Sequence, residues 1–175
     1  MVKFVDGNAL CRGYLSKYIS RAQVMLHDIW CNNHALSSNN HQWLHHIFRE
    51  NNGIADGIAD IAARNKSIYW LVCINGLIET TAVRTLFDGS AGKSGLGSIP
   101  AAGVVIQISN TPVNTWSQAS QLGVPLPPNS TSMFAETAAC ILAIELTRHV
   151  LINHSLPTLC QIQQIVEYNI PCINN

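Results

Sequence analysis

Charge is scarce in this chain. Asp, Glu, Lys and Arg make up 11% of its 175 residues, where a soluble protein usually carries about a quarter. The ten basic residues balance the ten acidic ones, so no whole-molecule field draws the chain to a polyanion or an anionic membrane. Long apolar runs are missing too. The longest, 68–74 and 138–144, fall far short of the roughly 18 residues of a spanning helix. The opening MVKFVDGN lacks the apolar region of a signal peptide. No CxxC pair occurs: the cysteines at 11, 31, 73, 140, 160 and 172 stand far apart, as free thiols in a reducing compartment do. These absences predict a soluble intracellular protein, cytoplasmic or nuclear, with no membrane partner. An apolar fraction of 47% excludes disorder, and the length suits one domain rather than two.

The order of segments predicts an α/β fold. VKFVD reads as a strand, followed by a helix in which Leu10, Tyr14 and Tyr18 recur, and by a second helical stretch from Ala22 to Trp30. WLHHIF reads as a short strand. In ENNGIADGIADIAARN, Ile54, Ile58 and Ile61 repeat at helical spacing, and Asn51 or Asn52 can cap the start. Strands are expected at 68–74 and in AVRTLF, which ends in Asp88; a Gly/Ser loop follows, then a hairpin of AGVVIQIS and NTWSQASQLG. Met133 to Val150 reads as a mostly buried helix with Ser132 as its cap. Pro157 suits the first turn of a last helix running to about Tyr168.

Four carboxylates have unusual settings. Asp6 and Asp88 each end an apolar strand before glycine, Glu136 is the only charge between Gln121 and Ile144, and Asp56 sits among small residues in a helix. Each has an ordinary account taken singly: a turn former, a helix-dipole complement, a solvated face. Brought together in a partly dry site, four carboxylates would raise one another's pKa. A pair of divalent cations resolves that conflict, and hard oxygen ligands suit Mg²⁺ or Mn²⁺.

The residues that carry these acids resemble the ribonuclease H family. TLFDGSAGKSGLGSIPAAGVVIQI, NTWSQAS and STSMFAETAACILAIEL resemble its first half: an Asp-Gly-Ser strand, a hairpin and a helix opening with Ala-Glu. HHIFRENNGIADGIA is similar to the His-x-x-Arg-Glu-x-Asn-x-x-Ala-Asp run of retroelement and plant-type members, here His46, Arg49, Glu50, Asn52, Ala55 and Asp56. VKFVDGNAL is similar to the family's middle Asp strand. The order departs from the family, because the last two segments come first, and this looks like a circular permutation. Residues 1–64 would be the usual C-terminal half, 65–83 the connection, 84–150 the usual N-terminal half and 151–175 an added tail.

The resemblance implies a single ribonuclease H-like domain: a mixed five-stranded sheet flanked by helices, with VKFVD parallel to TLFD. It implies a metal-dependent endonuclease that hydrolyses the RNA strand of RNA/DNA hybrids. Asp6, Asp56, Asp88 and Glu136 would hold two Mg²⁺ or Mn²⁺ ions, and His46 would assist proton transfer. Asn8, Arg12, Arg49, Asn52 and Ser90 are candidate substrate contacts. Lys17, Arg21, Arg64 and Lys93 make only a weak basic patch, better read as solvated charge.

Three alternatives stay open. A nuclease of the same fold could act on DNA, as a resolvase or transposase core does. A non-catalytic nucleic-acid-binding or scaffold domain could keep the fold, and the low charge suits it. Cys31, His34, His41 and His45 have spacings a zinc site could use, although ordinary surface histidines explain them more simply. Closure within a monomer is expected, because a connection of this length spans a domain at about 3.3 Å per residue; a swapped dimer is the other arrangement.

Overall fold

The computed structural model describes residues 13–32, 44–46, 51–72, 82–92, 97–109, 115–153 and 166–168. In chain order they form α1 (Ser16–Asn32), β1 (Leu44–His46), α2 (Gly53–Asn65) and β2 (Tyr69–Val72). These are followed by β3 (Ala82–Ser90), β4 (Ala101–Ser109), β5 (Ser117–Pro125), α3 (Ser132–Asn153) and β6 (Val166–Tyr168). The fold is α/β, as the segment order predicts.

One sheet runs β1-β6-β3-β4-β5-β2. Its body is four antiparallel strands, β3-β4-β5-β2. The three-residue strands β6 and β1 extend it in parallel beyond β3. The sheet is therefore mixed, as expected, but has six strands rather than five. The extra antiparallel strand is β2, which falls where a strand is expected at 68–74, within the connection of the permuted order; its aromatic residues suit a strand. It forms an edge and leaves Ile68, Trp70 and Leu71 exposed.

β6 corrects one further expectation. Residues 166–168 are a strand and not the end of a helix, because Val166, Glu167 and Tyr168 pair with Thr85, Leu86 and Phe87. That flank of β3 is the position expected for VKFVD, which lies outside the described residues, as do 157–165. α1 is also one continuous helix where two stretches were expected.

Helices cover both faces, which is why every residue of β4 is buried. Val83 and Phe87 of β3 and Val104, Ile106 and Ile108 of β4 face α3 and α1, packing with Ala139, Ile144, Ala22 and Leu26. Leu86 and Val105 face α2, against Ala55 and Ile58. Thr85 and Thr147 share a buried hydroxyl hydrogen bond of 2.6 Å between β3 and α3. α1 is joined to α3 by ion pairs from Arg21 to Glu145 and from Arg148 to Asp28.

Two glycines let α2 come close. Gly103 and Gly123 stand opposite each other on β4 and β5. A Cβ at Gly103 would lie 2.3 Å from the Ala55 carbonyl oxygen, and one at Gly123 would lie 2.9 Å from that of Ile58. The helix therefore lies in a trough and runs from β3 toward β5. Asp88 is the cross-strand partner of Gly103, which puts it at the start of α2.

Among the described residues no helix is long and apolar enough to cross a membrane.

Candidate functional site

Asp88 and Glu136 meet at the end of β3. Asp88 is the seventh residue of that strand and is buried, at 8% exposure. Its Oδ1 accepts the Gly89 N–H at 3.0 Å. Glu136 belongs to α3, which starts where Thr131 Oγ1 accepts the Phe134 N–H at 3.2 Å, so Thr131 caps the helix in place of the expected Ser132. Glu136 begins the second turn and is 3% exposed. An exposed first-turn acid complementing the dipole does not describe it.

What brings the two acids together is residue 89. A Cβ there would lie 2.3 Å from the Ala135 carbonyl carbon and 2.3 Å from the Glu136 nitrogen. Real side chains do not tolerate such distances, so only glycine lets α3 sit this close to β3. The Asp-Gly pair therefore does more than form a turn: the aspartate supplies a carboxylate and the glycine admits its partner.

The electrostatics of the pair are those of two acids sharing a dry place. Burial, and after it the Asp88 charge and side-chain contact, pushes the Glu136 carboxyl up to about 9 from its ordinary 4.5. The Gly89 N–H acts in the opposite sense. Neither Glu136 oxygen has a hydrogen-bond partner of full geometry among the described residues. Leaving buried polar atoms unpaired costs about 1–3 kcal/mol each, and structures retain such costs mainly at sites with a task.

α2 brings a third and a fourth residue to this end of the sheet. Asn52 takes the N-cap position, as expected, yet its side chain makes no cap hydrogen bond. Its Nδ2 donates instead to the Phe87 carbonyl of β3 at 3.0 Å. Asn52 is fully buried and its Oδ1 has no partner among the described residues. Asp56 follows one turn later, half-buried, and its N–H bonds to the Asn52 carbonyl at 3.1 Å. It remains a first-turn acid that complements the α2 dipole.

The other expected residues divide by place. His46 ends β1, in register with Tyr168, which is in register with Phe87. Its backbone is thus at the same end of the sheet as Asp88, two strands over, about 10 Å away at ordinary strand spacing. Ser90 ends β3, and its Oγ accepts the Gly92 N–H at 3.3 Å. Asp6, Asn8, Arg12, Arg49 and Lys93 lie outside the described residues, as do His34 and His41 of the zinc alternative. Of the basic residues, Arg21 pairs with Glu145, Arg64 with Asp60, and the Lys17 ammonium lies 4.9 Å from the Tyr18 ring centroid. Each is engaged within the fold, in line with the reading of solvated surface charge.

The donor set can be tested against a cation. Two carboxylates, one with both oxygens buried and without a partner of full geometry among the described residues, are hard oxygen donors of the kind Mg²⁺ and Mn²⁺ take. A cation would also favour the ionised form of Glu136 that burial disfavours. The pair fits one divalent ion as part of a ligand set. Among the described residues no group of three or more His, Cys, Asp or Glu side chains is placed to hold a metal.

No family model matches the chain, and no curated protein or solved structure matches it either.

The roles of Gly89 and Asn52 in placing the helices have only weak signals in the sequence. Gly89 was readable only as a turn glycine, and Asn52 only as a cap or a substrate contact. Their roles depend on which helix approaches which strand.

Proposed function

We propose that the chain is a metal-dependent endonuclease that hydrolyses the RNA strand of RNA/DNA hybrids. The observation that carries this reading is the buried Asp88–Glu136 pair at the end of β3, with no hydrogen-bond partner of full geometry for either Glu136 oxygen among the described residues. The resemblance of the surrounding residues to ribonuclease H segments supplies the reaction class.

In this reading Asp88 and Glu136 hold the cation, with Asp6 and Asp56 as the further expected ligands. A divalent cation bound there would lower the pKa of a water and offset the charge of a phosphodiester. Asp88, held by the Gly89 N–H, fixes one ligand position. Glu136 would hold the cation as a carboxylate, giving its proton up to water on binding. His46, at the same end of the sheet, serves proton transfer to or from water or the departing 3′ oxygen. Ser90 and Asn8 stand in the segments expected to meet ribose hydroxyls, the groups that distinguish RNA from DNA.

The test is cleavage of an end-labelled RNA/DNA hybrid in Mg²⁺, Mn²⁺ or EDTA, beside a DNA duplex of the same sequence. The reading expects cuts in the RNA strand only, with metal only. Equal cutting of the DNA duplex would make the chain a DNA-directed nuclease. No metal-dependent cutting of either would overturn the reading and leave a binding or scaffold domain.

A further inference from the structure

We propose that Asn52 is a positioning residue for Asp88: its side-chain amide ties the start of α2 to β3 one residue ahead of that carboxylate. Asparagine at an N-cap ordinarily accepts a helix N–H through its side-chain oxygen. Asn52 occupies that position and forgoes the bond. The amide nitrogen is the atom that faces Phe87, because a carbonyl oxygen can be met only by a donor. Turning the amide over would set two acceptors against each other, so the assignment of nitrogen and oxygen is fixed by the partner.

The geometry makes this tie specific to the site. Phe87 precedes Asp88 on β3, and Asp88 is cross-strand from Gly103, whose missing side chain admits Ala55 of the same helix. α2 is therefore located by the glycine trough across the strands and by Asn52 at its start. The fully buried amide fixes where the strand end stands relative to α2, and with it the direction in which the Asp88 carboxylate leaves the sheet. The side chain is placed for the β3 contact and not for the helix end: its Nδ2 bonds to Phe87 and its oxygen makes no cap bond. This goes beyond the assigned ligands, and its kinetic consequence rests on the nuclease reading.

Two substitutions separate positioning from capping. Serine caps a helix as well as asparagine but is too short to reach the Phe87 carbonyl, whereas alanine neither caps nor reaches. The full chain and its Asn52→Ser and Asn52→Ala variants are compared by hydrogen exchange at the amides of residues 87–89 and by Mn²⁺ affinity at pH 7.5. Both variants are expected to exchange faster there by about fivefold to tenfold, as loss of one hydrogen bond implies. Both are expected to bind Mn²⁺ about tenfold more weakly, as loss of a residue that orients a ligand does. If hybrid cleavage is present, kcat falls while KM holds.

Parent-like exchange in both variants overturns the proposal. So does parent-like behaviour of Asn52→Ser with failure of Asn52→Ala alone, which would mean a cap. A raised KM at unchanged kcat would mean a substrate contact and overturns it as well, as does loss of the whole fold in both variants. If the parent neither binds Mn²⁺ nor cleaves, the nuclease reading fails and the exchange at 87–89 alone decides the role of Asn52.

Discussion

Glu136 stands against Asp88 because the residue after Asp88 has no side chain. The α3 backbone at Ala135 and Glu136 occupies the space a Gly89 Cβ would need, and the Glu136 carboxyl is thereby buried beside a second acid, with no partner of full geometry for either oxygen among the described residues. The close approach and the unusual ionisation have one cause.

Neutralising Asp88 separates catalysis from folding. Asp88→Asn removes the buried charge beside a Glu136 carboxyl that stays protonated below about pH 9, so the fold is expected to hold, while metal-dependent cleavage falls to background. Melting followed by circular dichroism and a cleavage assay on the same preparation check both halves. Parent-level cleavage by Asp88→Asn would remove that carboxylate from the site.

The raised ionisation of Glu136 sets a pH dependence whose sign is fixed. The folded chain keeps this proton up to about pH 9, while the unfolded chain loses it near 4.5. Between those values the folded state binds more protons, so stability falls as pH rises, at a slope approaching about 1.4 kcal/mol per unit. Glu136→Gln should flatten the curve and be the more stable form at pH 8. Urea denaturation from pH 5 to 9 measures this; parallel curves for parent and variant would contradict it.

The local signals in the sequence were strong where one element explains itself. The periodicity of 54–61 marks α2, the apolar stretch from Met133 marks α3, and the β-branched runs around Leu86 and Val105 mark β3 and β4. The Asp-Gly-Ser and Ala-Glu signals also pointed to the two acids that meet. Sequence could not show what depends on approach between distant segments. β6 adds a strand from residues whose helical spacing looked equally good, because a three-residue stretch carries too little pattern to decide. Asn52 reads as a cap in any local window; only the neighbouring strand reveals that its amide is used elsewhere.

The glycine contacts predict a graded response. Gly89→Ala forces a methyl group to 2.3 Å from the α3 backbone, and Gly103→Ala forces one to 2.3 Å from the α2 backbone. Each should cost about 1–3 kcal/mol or more, the usual range for overpacking, seen as a lowered urea midpoint. Gly89→Ala should also weaken Mn²⁺ binding, since it moves Glu136 away from Asp88. Either variant matching the parent midpoint would show that the helix is free to shift.

His46 carries the proton-transfer expectation from the edge of the sheet. His46→Ala should lower hybrid turnover by about 10²-fold, within the range for loss of a general acid or base, with KM little changed. An unchanged rate with a lowered melting temperature would make it a structural residue of β1.

The central claim is that Asp88 and Glu136 together hold a divalent cation. Free Mn²⁺ measured by electron paramagnetic resonance at pH 7.5, titrated with the parent chain and with the Asp88→Asn/Glu136→Gln double variant, tests it without any assumption about substrate. The account predicts saturable binding by the parent that the double variant loses. Identical titrations for the two proteins, or no binding by the parent, would contradict it.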